Sequence, residues 1–520
     1  MSIGIESLDA VIPVAEEVAR TARRLRGCRE CEIRLGAWEV RTCTAENGVE
    51  KVSTADCHMG LGVRVVAENG SIAAGFCGRV LGGADLSRSM QVLQDAVRHA
   101  HARAVANARE KHRVATLYGS LGASFTPLAL LPAPVVRTRI PPVFRIDPRS
   151  VPLEEVVRLV TRASRAAAGV SPQVAFNTVI GTTALVRDVF VSAAGSSIDR
   201  IYALSEGLVF VASRGETGPL DLYDFTGHQR GWEVLTEGYR NAHIHLEPLE
   251  EFARRLASTA VEVSNAPHLR PPEGEVVVVT DPHFNALVCH EVVGHPSELD
   301  RAFKMETAYA GRSWLFKDLQ ENMLGKQVAS PLVSVVSDPT MEGFGSYPYD
   351  HEGTPARRVY NIRNGIYTEF LSSRQTAALL GLESNGHYVA TEPFRVPLIR
   401  MSNTAFLGGD RDPQDIIGDV ERGWYVVGHR IPSVAESREN FRISAVKVYE
   451  IRNGQIGQLY RDGAVMADTR DFFMHIDAVG NDFRLFPIPN CGKGQPMQAK
   501  RMSNGGPTLR SVARLTGTSR

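Results

Sequence analysis

Several features that define specialised classes of protein are scarce or missing in this sequence of 520 residues. No apolar run approaches the roughly 20 residues that a membrane-spanning helix needs. Basic and acidic residues number 58 each, so the formal net charge is zero and nothing indicates an electrostatic binder of nucleic acid. Seven cysteines are too few for a disulfide scaffold, and the number is odd. The composition therefore predicts a globular protein with no nucleic-acid partner, no membrane partner and free thiols.

The N-terminal stretch also lacks the pattern of a signal peptide. Acidic residues interrupt any apolar core there, and the basic cluster at 20–26 follows the apolar residues instead of preceding them. The interrupting residues are Glu6, Asp9, Glu16 and Glu17. We therefore expect a cytoplasmic protein.

Two kinds of periodicity alternate in the first half of the chain. Short segments of alternating polarity, split by turns at Asn47-Gly48 and Asn69-Gly70, predict antiparallel hairpins over 31–80, and further strands are expected over 173–214. Apolar residues recur at helical spacing elsewhere. The predicted helices cover 7–26, 85–110, 153–168 and 229–262, the last with a break near Pro248. The proline-rich stretch 126–152 predicts a connector or an extended wall instead of a regular element.

A Pro-Pro-Glu-Gly cluster at 271–274 is the best candidate for a domain boundary. It divides an N-terminal α+β domain (1–270, in two modules of about 1–125 and 126–270) from a β-rich C-terminal domain (271–520) that carries two notable histidines. A buried type of strand over 275–280 precedes those histidines, short β segments fill most of 331–510, and helices are expected there only near 373–381 and 413–421. The predicted fold class is α+β with two domains.

The histidines belong to an H-E-x-x-x-H pattern formed by His290, Glu291 and His295. A zinc hydrolase needs imidazole ligands, an open position for water and a carboxylate that takes the proton of that water. A glutamate directly after the first histidine fills that role in the common H-E-x-x-H helix. Residues i and i+5 lie about 140° apart on a straight helix, so these histidines share a metal only if the helix widens or ends between them. Gly294 and Pro296 permit such a departure.

The pattern is weak when taken alone. Glu291 and His295 are also spaced to pair on the surface of an ordinary helix. These residues alone do not identify a third metal ligand. Glu298 and Asp300 follow closely, and Cys491 lies far downstream beside Lys493, whose charge would favour a thiolate.

Several ordered segments resemble the TldD/PmbA family of metallopeptidases, and the resemblance extends over nearly the whole chain. The hairpin region 60–75 is similar to the N-terminal module of that family. The other matching segments are 290–295 together with Glu298 and Asp300, 349–356, 399–404, 479–482, 491–493 and 505–510.

The resemblance implies one zinc ion per active subunit, bound by His290, His295 and Cys491, with Glu291 as the general base. It implies a two-domain protein that works as a homodimer or as a heterodimer with a PmbA-like homologue lacking the metal motif. Family members cleave peptides and unfolded polypeptides, including leader segments of ribosomally made peptides. We therefore expect zinc-dependent peptide hydrolysis, with another divalent metal left open.

Two other functions stay open. The chain could be a non-catalytic partner subunit that only forms a channel, although a scaffold has no need of the four metal-site residues. It could also be an amidohydrolase that uses the same metal on small molecules. Departures from the family pattern at 424–442 and 495–498 bear on substrate preference, and the roles of Asp350, His351 and Glu352 stay open.

Overall fold

The computed structural model describes residues 4–118 and 129–517. Its α-helices are α1 (Ile12–Ala22), α2 (Gly83–Leu86), α3 (Ser89–Tyr118), α4 (Leu153–Ala168), α5 (Glu233–Glu237), α6 (Leu249–Asn265), α7 (Pro282–Cys289), α8 (Leu299–Ala302), α9 (Arg374–Leu380), α10 (Pro413–Gly418) and α11 (Thr469–Met474). A π-helical turn covers His290–Gly294, and short 3-10 helices cover Ile5–Ala10, Pro148–Ser150 and His295–Ser297.

The strands in the first half of the chain are β1 (Cys28–Glu46), β2 (Val49–Asn69), β3 (Ser71–Leu81), β4 (Arg137–Ile140), β5 (Val174–Ser192), β6 (Ser197–Gly215), β7 (Gly218–His228), β8 (Tyr239–Arg240) and β9 (His245–Leu246). Those in the second half are β10 (Val276–Thr280), β11 (Val335–Ser337), β12 (Val359–Arg363), β13 (Ile366–Tyr367), β14 (Tyr388–Val389), β15 (Leu398–Ile399), β16 (Thr404–Phe406), β17 (Arg422–Val434), β18 (Asn440–Arg452), β19 (Gln455–Tyr460), β20 (Ala464–Asp468), β21 (Ala478–Val479), β22 (Arg484–Lys493), β23 (Gln498–Gly506) and β24 (Leu509–Thr516).

The first sheet has the strand order β3-β2-β1-β5-β6-β4, with β7 also paired to β6. Its pairs are antiparallel except for β4, which runs parallel to β6. One face is covered by helices: α1 and α3 pack on one end of the long strands and α4 and α6 on the other. Because side chains alternate between the faces of a strand, Trp38 and Val186 point the other way and pack against Phe344 of the C-terminal half.

The second sheet closes on itself. Strand β10 pairs with both β17 and β24, and the order β10-β17-β18-β20-β24 completes the ring. Apolar side chains from these strands, such as Val278, Phe441 and Val465, fill its interior as part of the largest core of the described residues. The ring therefore forms a small barrel whose first strand leads directly into the histidine-bearing helix.

The third sheet has the order β13-β12-β11-β16-β23-β22 and supplies the other wall of the site. Helix α7 contacts β17 of the barrel as well as β22 and β23 of this sheet. The end of α7 is thereby fixed between two sheets.

The predicted α+β class is confirmed, and so are helix α4, the N-terminal hairpins and helices near 374–380 and 413–418. Within the described part of 126–152, the four-residue strand β4 pairs with β6 and is a regular element that was not predicted, while 129–136 and 141–147 are irregular as expected. Only single turns and two-residue strands precede Pro248 where a helix was expected from 229 onward. Strands β17 and β18, of 13 residues each, are longer than expected, and helices α8 and α11 were not predicted.

All strands of the first sheet precede residue 271, and all strands of the second and third sheets follow it. The division into two domains at this point stays a prediction, and the module boundary near 125 lies outside the described residues. All seven cysteines are free. In the described ranges, no helix combines the length and apolar character required to cross a membrane.

Candidate metal centre

The two histidines lie on a helix that changes its pitch between them. Asp281 caps the start of α7, where its carboxylate accepts the backbone N–H of Phe284 at 2.8 Å. After Cys289 the helix widens into the π turn, in which the N–H of His295 donates to the carbonyl of His290. The extra residue in this turn brings i and i+5 to the same side, as the spacing predicted.

Local sequence explains why the helix widens and ends here. Pro296 has no N–H to continue the ladder, and a Cβ at Gly294 would lie 2.7 Å from Sδ of Met401, so a larger residue would crowd the turn. The carbonyls left over are bonded by side chains: Nε1 of Trp314 donates to Val292 O at 2.9 Å, and Oγ of Ser297 donates to Val293 O at 2.7 Å. Side chains therefore supply two of the hydrogen bonds that the distorted backbone leaves unmade.

Three potential metal ligands converge beside this turn. One ligand atom each from His290, His295 and Cys491 lies within 4.8 Å of the others. The Sγ of Cys491, on β22, is 3.5 Å from Nε2 of His295, and the two imidazole rings stand at 89° with centroids 4.8 Å apart. All three residues are buried, each with 4% of its surface exposed. Among the described residues, this is the group that meets the geometric requirement for a shared ion.

Each imidazole is oriented through its Nδ1 atom. Nδ1 of His290 donates to Oδ1 of Asn504 at 3.0 Å, and Nδ1 of His295 donates to Oε2 of Glu298 at 3.0 Å. With the proton on Nδ1, the Nε2 atoms carry the lone pairs that a metal would use, and such outer partners are a regular feature of metal-binding histidines. Glu298, one of the candidate third ligands, thus lies behind His295 rather than in the cluster.

A buried ion network links Glu298 to the strand that carries Cys491. Nζ of Lys493 bonds Oε2 of Glu298 at 3.0 Å and Oδ1 of Asp300 at 2.6 Å. Although burial opposes the charged form, Lys493 and His295 hold the pKa of Glu298 well below its usual range. Lys493 was expected to favour a thiolate at Cys491. Its ammonium is instead committed to these two carboxylates.

The thiolate has a different source of stabilisation. Burial opposes it, yet the imidazoles of His290 and His295, together with Arg400, hold the pKa of the Cys491 thiol well below its usual range. Burial likewise disfavours the charged form of His290, but Cys491 and Glu291 raise its pKa to about 9. The buried guanidinium of Arg400 also bonds the carbonyl of Cys491 and that of Gln498, which fixes the β22–β23 hairpin. The centre therefore favours the thiolate, the form of cysteine that binds metals.

Glu291 follows the first histidine and is held by Arg438. The Arg438 guanidinium forms an ion pair with the Glu291 carboxylate, and its Nη1 donates to the Glu291 carbonyl at 2.9 Å. Burial raises the pKa of this carboxyl, but Arg438 and the two histidines outweigh it and lower the pKa to about 2. Glu291 is thus ionised, next to His290 of the cluster, and paired with Arg438.

The Asp350-His351-Glu352 segment lies away from the cluster, at the junction with the first sheet. Oε1 of Glu352 accepts from Arg64 at 2.7 Å and Oε2 accepts the N–H of Arg374 at 2.8 Å. Nδ1 of His351 accepts the N–H of Ala390 at 3.0 Å. His351 also lines a cavity of about 110 Å³ between the first sheet and the C-terminal half. Through its bond with Arg64, Glu352 connects the C-terminal half to the first sheet.

Sequence reasoning missed three residues of the site. Asn504, Arg438 and Trp314 each make a polar contact to the histidine turn, yet each comes from a different segment of the chain. Asn504 directly precedes the glycine pair of the 505–510 motif, and that proximity was a usable signal. No local pattern marks Arg438 or Trp314.

The residues present suit a zinc-like ion. Zinc prefers imidazole and thiolate donors in tetrahedral sites with bonds of about 2.0–2.3 Å, which places neighbouring ligand atoms roughly 3.5 Å apart. The separation of Cys491 Sγ and His295 Nε2 is 3.5 Å. Three protein donors also leave the fourth position that a catalytic zinc site keeps open.

Comparison with known proteins agrees with this chemistry. Residues 273–515 match the PmbA/TldA metallopeptidase C-terminal domain. A metalloprotease of Methanothermobacter thermautotrophicus is 32% identical over 376 residues, which cover 71% of this chain and 75% of the relative. A zinc metalloprotease TldD homolog of Saccharolobus solfataricus is 28% identical over 243 residues, 46% of this chain and 51% of the relative. The crystal structure of TldE from Thermococcus kodakarensis shares the fold, with a TM-score of 0.69 over 98% of this chain and 100% of that one at 14% identity.

The family model and the relatives named metalloproteases define the class of protein: the metallopeptidases, which hydrolyse peptide bonds. Within that class, this chain belongs to the PmbA/TldD family.

Proposed function

We propose that this chain is a zinc-dependent peptidase that hydrolyses peptides or unfolded polypeptides. The observation that carries the proposal is the convergence of His290, His295 and Cys491, whose ligand atoms lie within 4.8 Å of one another although almost 200 residues separate the cysteine from the histidines. The donor set favours zinc, and one relative is itself named a zinc metalloprotease.

The proposed catalysis divides the work between the ion and the chain. A bound zinc ion supplies Lewis acidity, which acidifies water and polarises the scissile carbonyl. Glu291 accepts the proton of the attacking water on its carboxylate and then delivers it to the leaving amine. Asn504 and Glu298 keep the imidazoles turned with Nε2 toward the centre. The surrounding burial keeps the donors fixed and excludes bulk water.

Extended peptides are the substrates that we propose. Strand β22 carries Cys491 and is the end strand of its sheet among the described residues. An end strand has main-chain donors and acceptors on its free side, with which an extended chain can pair independently of sequence. Such pairing suits unfolded polypeptides and the leader segments of peptide precursors.

We also propose that the protein works as a dimer, either with itself or with a homologue that lacks the metal motif. The shared fold with TldE supports a pairing of related chains. Mass measurement of the purified chain, alone and with such a homologue, distinguishes the two forms.

The deciding experiment compares metal content and peptide cleavage of the wild type with those of Glu291→Gln. The variant should keep its zinc and lose about 10²- to 10⁴-fold in kcat, because it lacks the proton acceptor. Glu275→Gln, the same change at an exposed position ahead of β10, is the matched control and should match the wild type.

Each contrary result points to a specific alternative. Full activity of Glu291→Gln would remove Glu291 from the mechanism. A wild-type chain that carries no metal when purified without chelator would be a channel-forming partner. A chain that binds zinc but cleaves only small amides would be an amidohydrolase.

A further inference from the structure

A short irregular segment, residues 304–312, shares the Arg438 side chain with Glu291 beside the candidate metal centre; we call it the strap. It leaves the end of α8 and returns at Ser313 and Trp314, which are bonded to Pro296 O at 2.6 Å and to Val292 O at 2.9 Å. The C-terminal end of the strap is therefore fixed to the turn that carries the histidines.

Two arginines hold three consecutive carbonyls in the middle of the strap. Nη1 of Arg301 donates to Ala308 O at 2.7 Å. Nη2 and Nε of Arg438 donate to Tyr309 O and Ala310 O, each at 3.2 Å. Main-chain oxygens of the strap thus accept hydrogen bonds from two arginines that also contact the site. Arg301 bonds Glu298, the partner of His295, and Arg438 bonds Glu291.

Arg438 binds the strap and Glu291 with the same guanidinium. Its Nη1 contacts the Glu291 carboxylate and carbonyl, while Nη2 and Nε hold the strap. Because the group is planar and rigid, its donors move together. A displacement that frees the strap also changes what Glu291 is bonded to.

Backbone strain concentrates at these contacts. Lys304, Tyr309 and Ala310 in the strap have φ of 59°, 59° and 56°, and Arg438 has φ of 65°. The other non-glycine residues with positive φ among those described are all Asn or Asp, which tolerate the left-handed region. Strain of this kind persists where surrounding contacts enforce it and often marks a functional switch.

The strap also restricts access to the centre. His290, His295 and Cys491 are each 4% exposed. On the strap, Oε2 of Glu306 lies 4.0 Å from where a Cβ would be on Gly494, in the loop that follows Cys491. Little of the three candidate ligands is open to solvent, and the strap is one of the segments beside them.

We propose that the strap is a lid over the metal centre and that Arg438 is its latch, coupling the opening of the lid to the release of Glu291. An extended peptide has main-chain carbonyls that can replace those of residues 308–310 on the two arginines. Nη2 of the fully buried Arg301 has no partner among the described residues and is available to such an acceptor. The coupling rests on the proposed role of Glu291, whereas the lid does not.

The test measures access to Cys491 in the full-length chain stripped of metal with a chelator. Iodoacetamide alkylation of each cysteine is followed by peptide mass spectrometry in the wild type, Arg438→Asn and Ser437→Ala. Asn tolerates the left-handed backbone and removes the guanidinium. Ser437, which bonds Glu439 instead of the strap, provides the matched control. Buried Cys31 in the first sheet reports unfolding, and partly exposed Cys57 reports reagent activity.

We expect Cys491 to react at least fivefold faster in Arg438→Asn than in the other two proteins, with Cys31 protected in all three. An unchanged Cys491 rate overturns the lid. If Cys31 also becomes reactive, Arg438→Lys repeats the test, because an ammonium has three donors and cannot bond all four groups that the guanidinium holds, namely the Glu291 carboxylate and carbonyl and two strap carbonyls. Equal rates in that variant and the wild type again overturn the proposal.

The coupling is tested separately with zinc restored. Arg438→Asn should raise kcat/KM for a short peptide several-fold, while Ser437→Ala leaves it unchanged. A fall in kcat of tenfold or more, with unchanged alkylation, would make Arg438 a support for Glu291 and overturn the latch. A wild type without peptidase activity would contradict the proposed function, yet the alkylation result would still decide the lid.

Discussion

The two histidines differ in what stands behind them. His290 donates to the neutral amide of Asn504, whereas His295 donates to the Glu298 carboxylate. A charged acceptor makes an imidazole a stronger donor to a metal than a neutral acceptor does. Removing the Asn504 side chain therefore tests how the His290 ring is oriented without removing a charge from the site.

Asn504→Ala should weaken zinc binding about 10- to 100-fold, because Nδ1 of His290 loses the acceptor that fixes its ring. Competition with a chromophoric chelator measures the zinc Kd. Asn504→Asp retains an acceptor at this position and should bind more tightly than the alanine variant. Asn490→Ala, at an exposed position beside Cys491, is the control. Wild-type affinity in Asn504→Ala would show that the contact does not orient His290.

At the scale of the element, the π turn depends on side chains that replace its missing backbone bonds. The Val292 carbonyl is satisfied by Nε1 of Trp314, a residue of the segment just beyond the strap. This bond ties the shape of the turn to the position of the following loop, so the candidate metal ligands and the proposed lid share one support.

Trp314→Phe should lower the free energy of unfolding by about 1–3 kcal/mol, since it leaves a buried carbonyl without a donor. Chemical denaturation measures the change. Trp424→Phe removes a similar volume from a partly buried ring packed on Tyr460, and thus separates lost packing from the lost hydrogen bond. Equal losses in the two variants would mean that the bond to Val292 contributes nothing.

Across the whole molecule, an ion network joins the first sheet to the C-terminal half. Arg64 bonds Glu32 within its own sheet and Glu352 across the junction. Arg374 reaches back from the C-terminal half to Glu30 and Glu32. These groups are largely buried, so their bonds are weakly screened and each charge depends on its partner.

Glu352→Ala should cost about 3 kcal/mol of unfolding free energy, because Arg64 loses one of its two carboxylates in a buried setting. Denaturant titration of the full chain measures it. Arg357→Ala breaks a more exposed pair with Glu369 and should stay within about 1 kcal/mol of the wild type. A Glu352→Ala protein as stable as the wild type would show that the network is dispensable for stability.

The parts of the fold that could be predicted are those determined by residues close to one another in the chain. The Asn47-Gly48 turn and the alternation around it indicate the β1–β2 hairpin, and amphipathic spacing indicates α4, because such patterns arise within one element. Strand β4 was missed, since it exists only through its pairing with β6. The helix predicted over 229–262 begins too early. Helical spacing of the apolar residues extends over a part of the chain that the fold places in short strands.

By itself, the sequence determined the α+β class and the break in the histidine helix, because both follow from local periodicity and from the five-residue histidine spacing. It left Glu298, Asp300 and Cys491 as rival ligands until the family resemblance favoured the cysteine. Only the tertiary structure brought Cys491 beside His295, turned Lys493 toward Glu298 and closed Arg438 over Glu291. Contacts between residues so distant in the chain depend on how two sheets pack around one helix, and no local pattern encodes that packing.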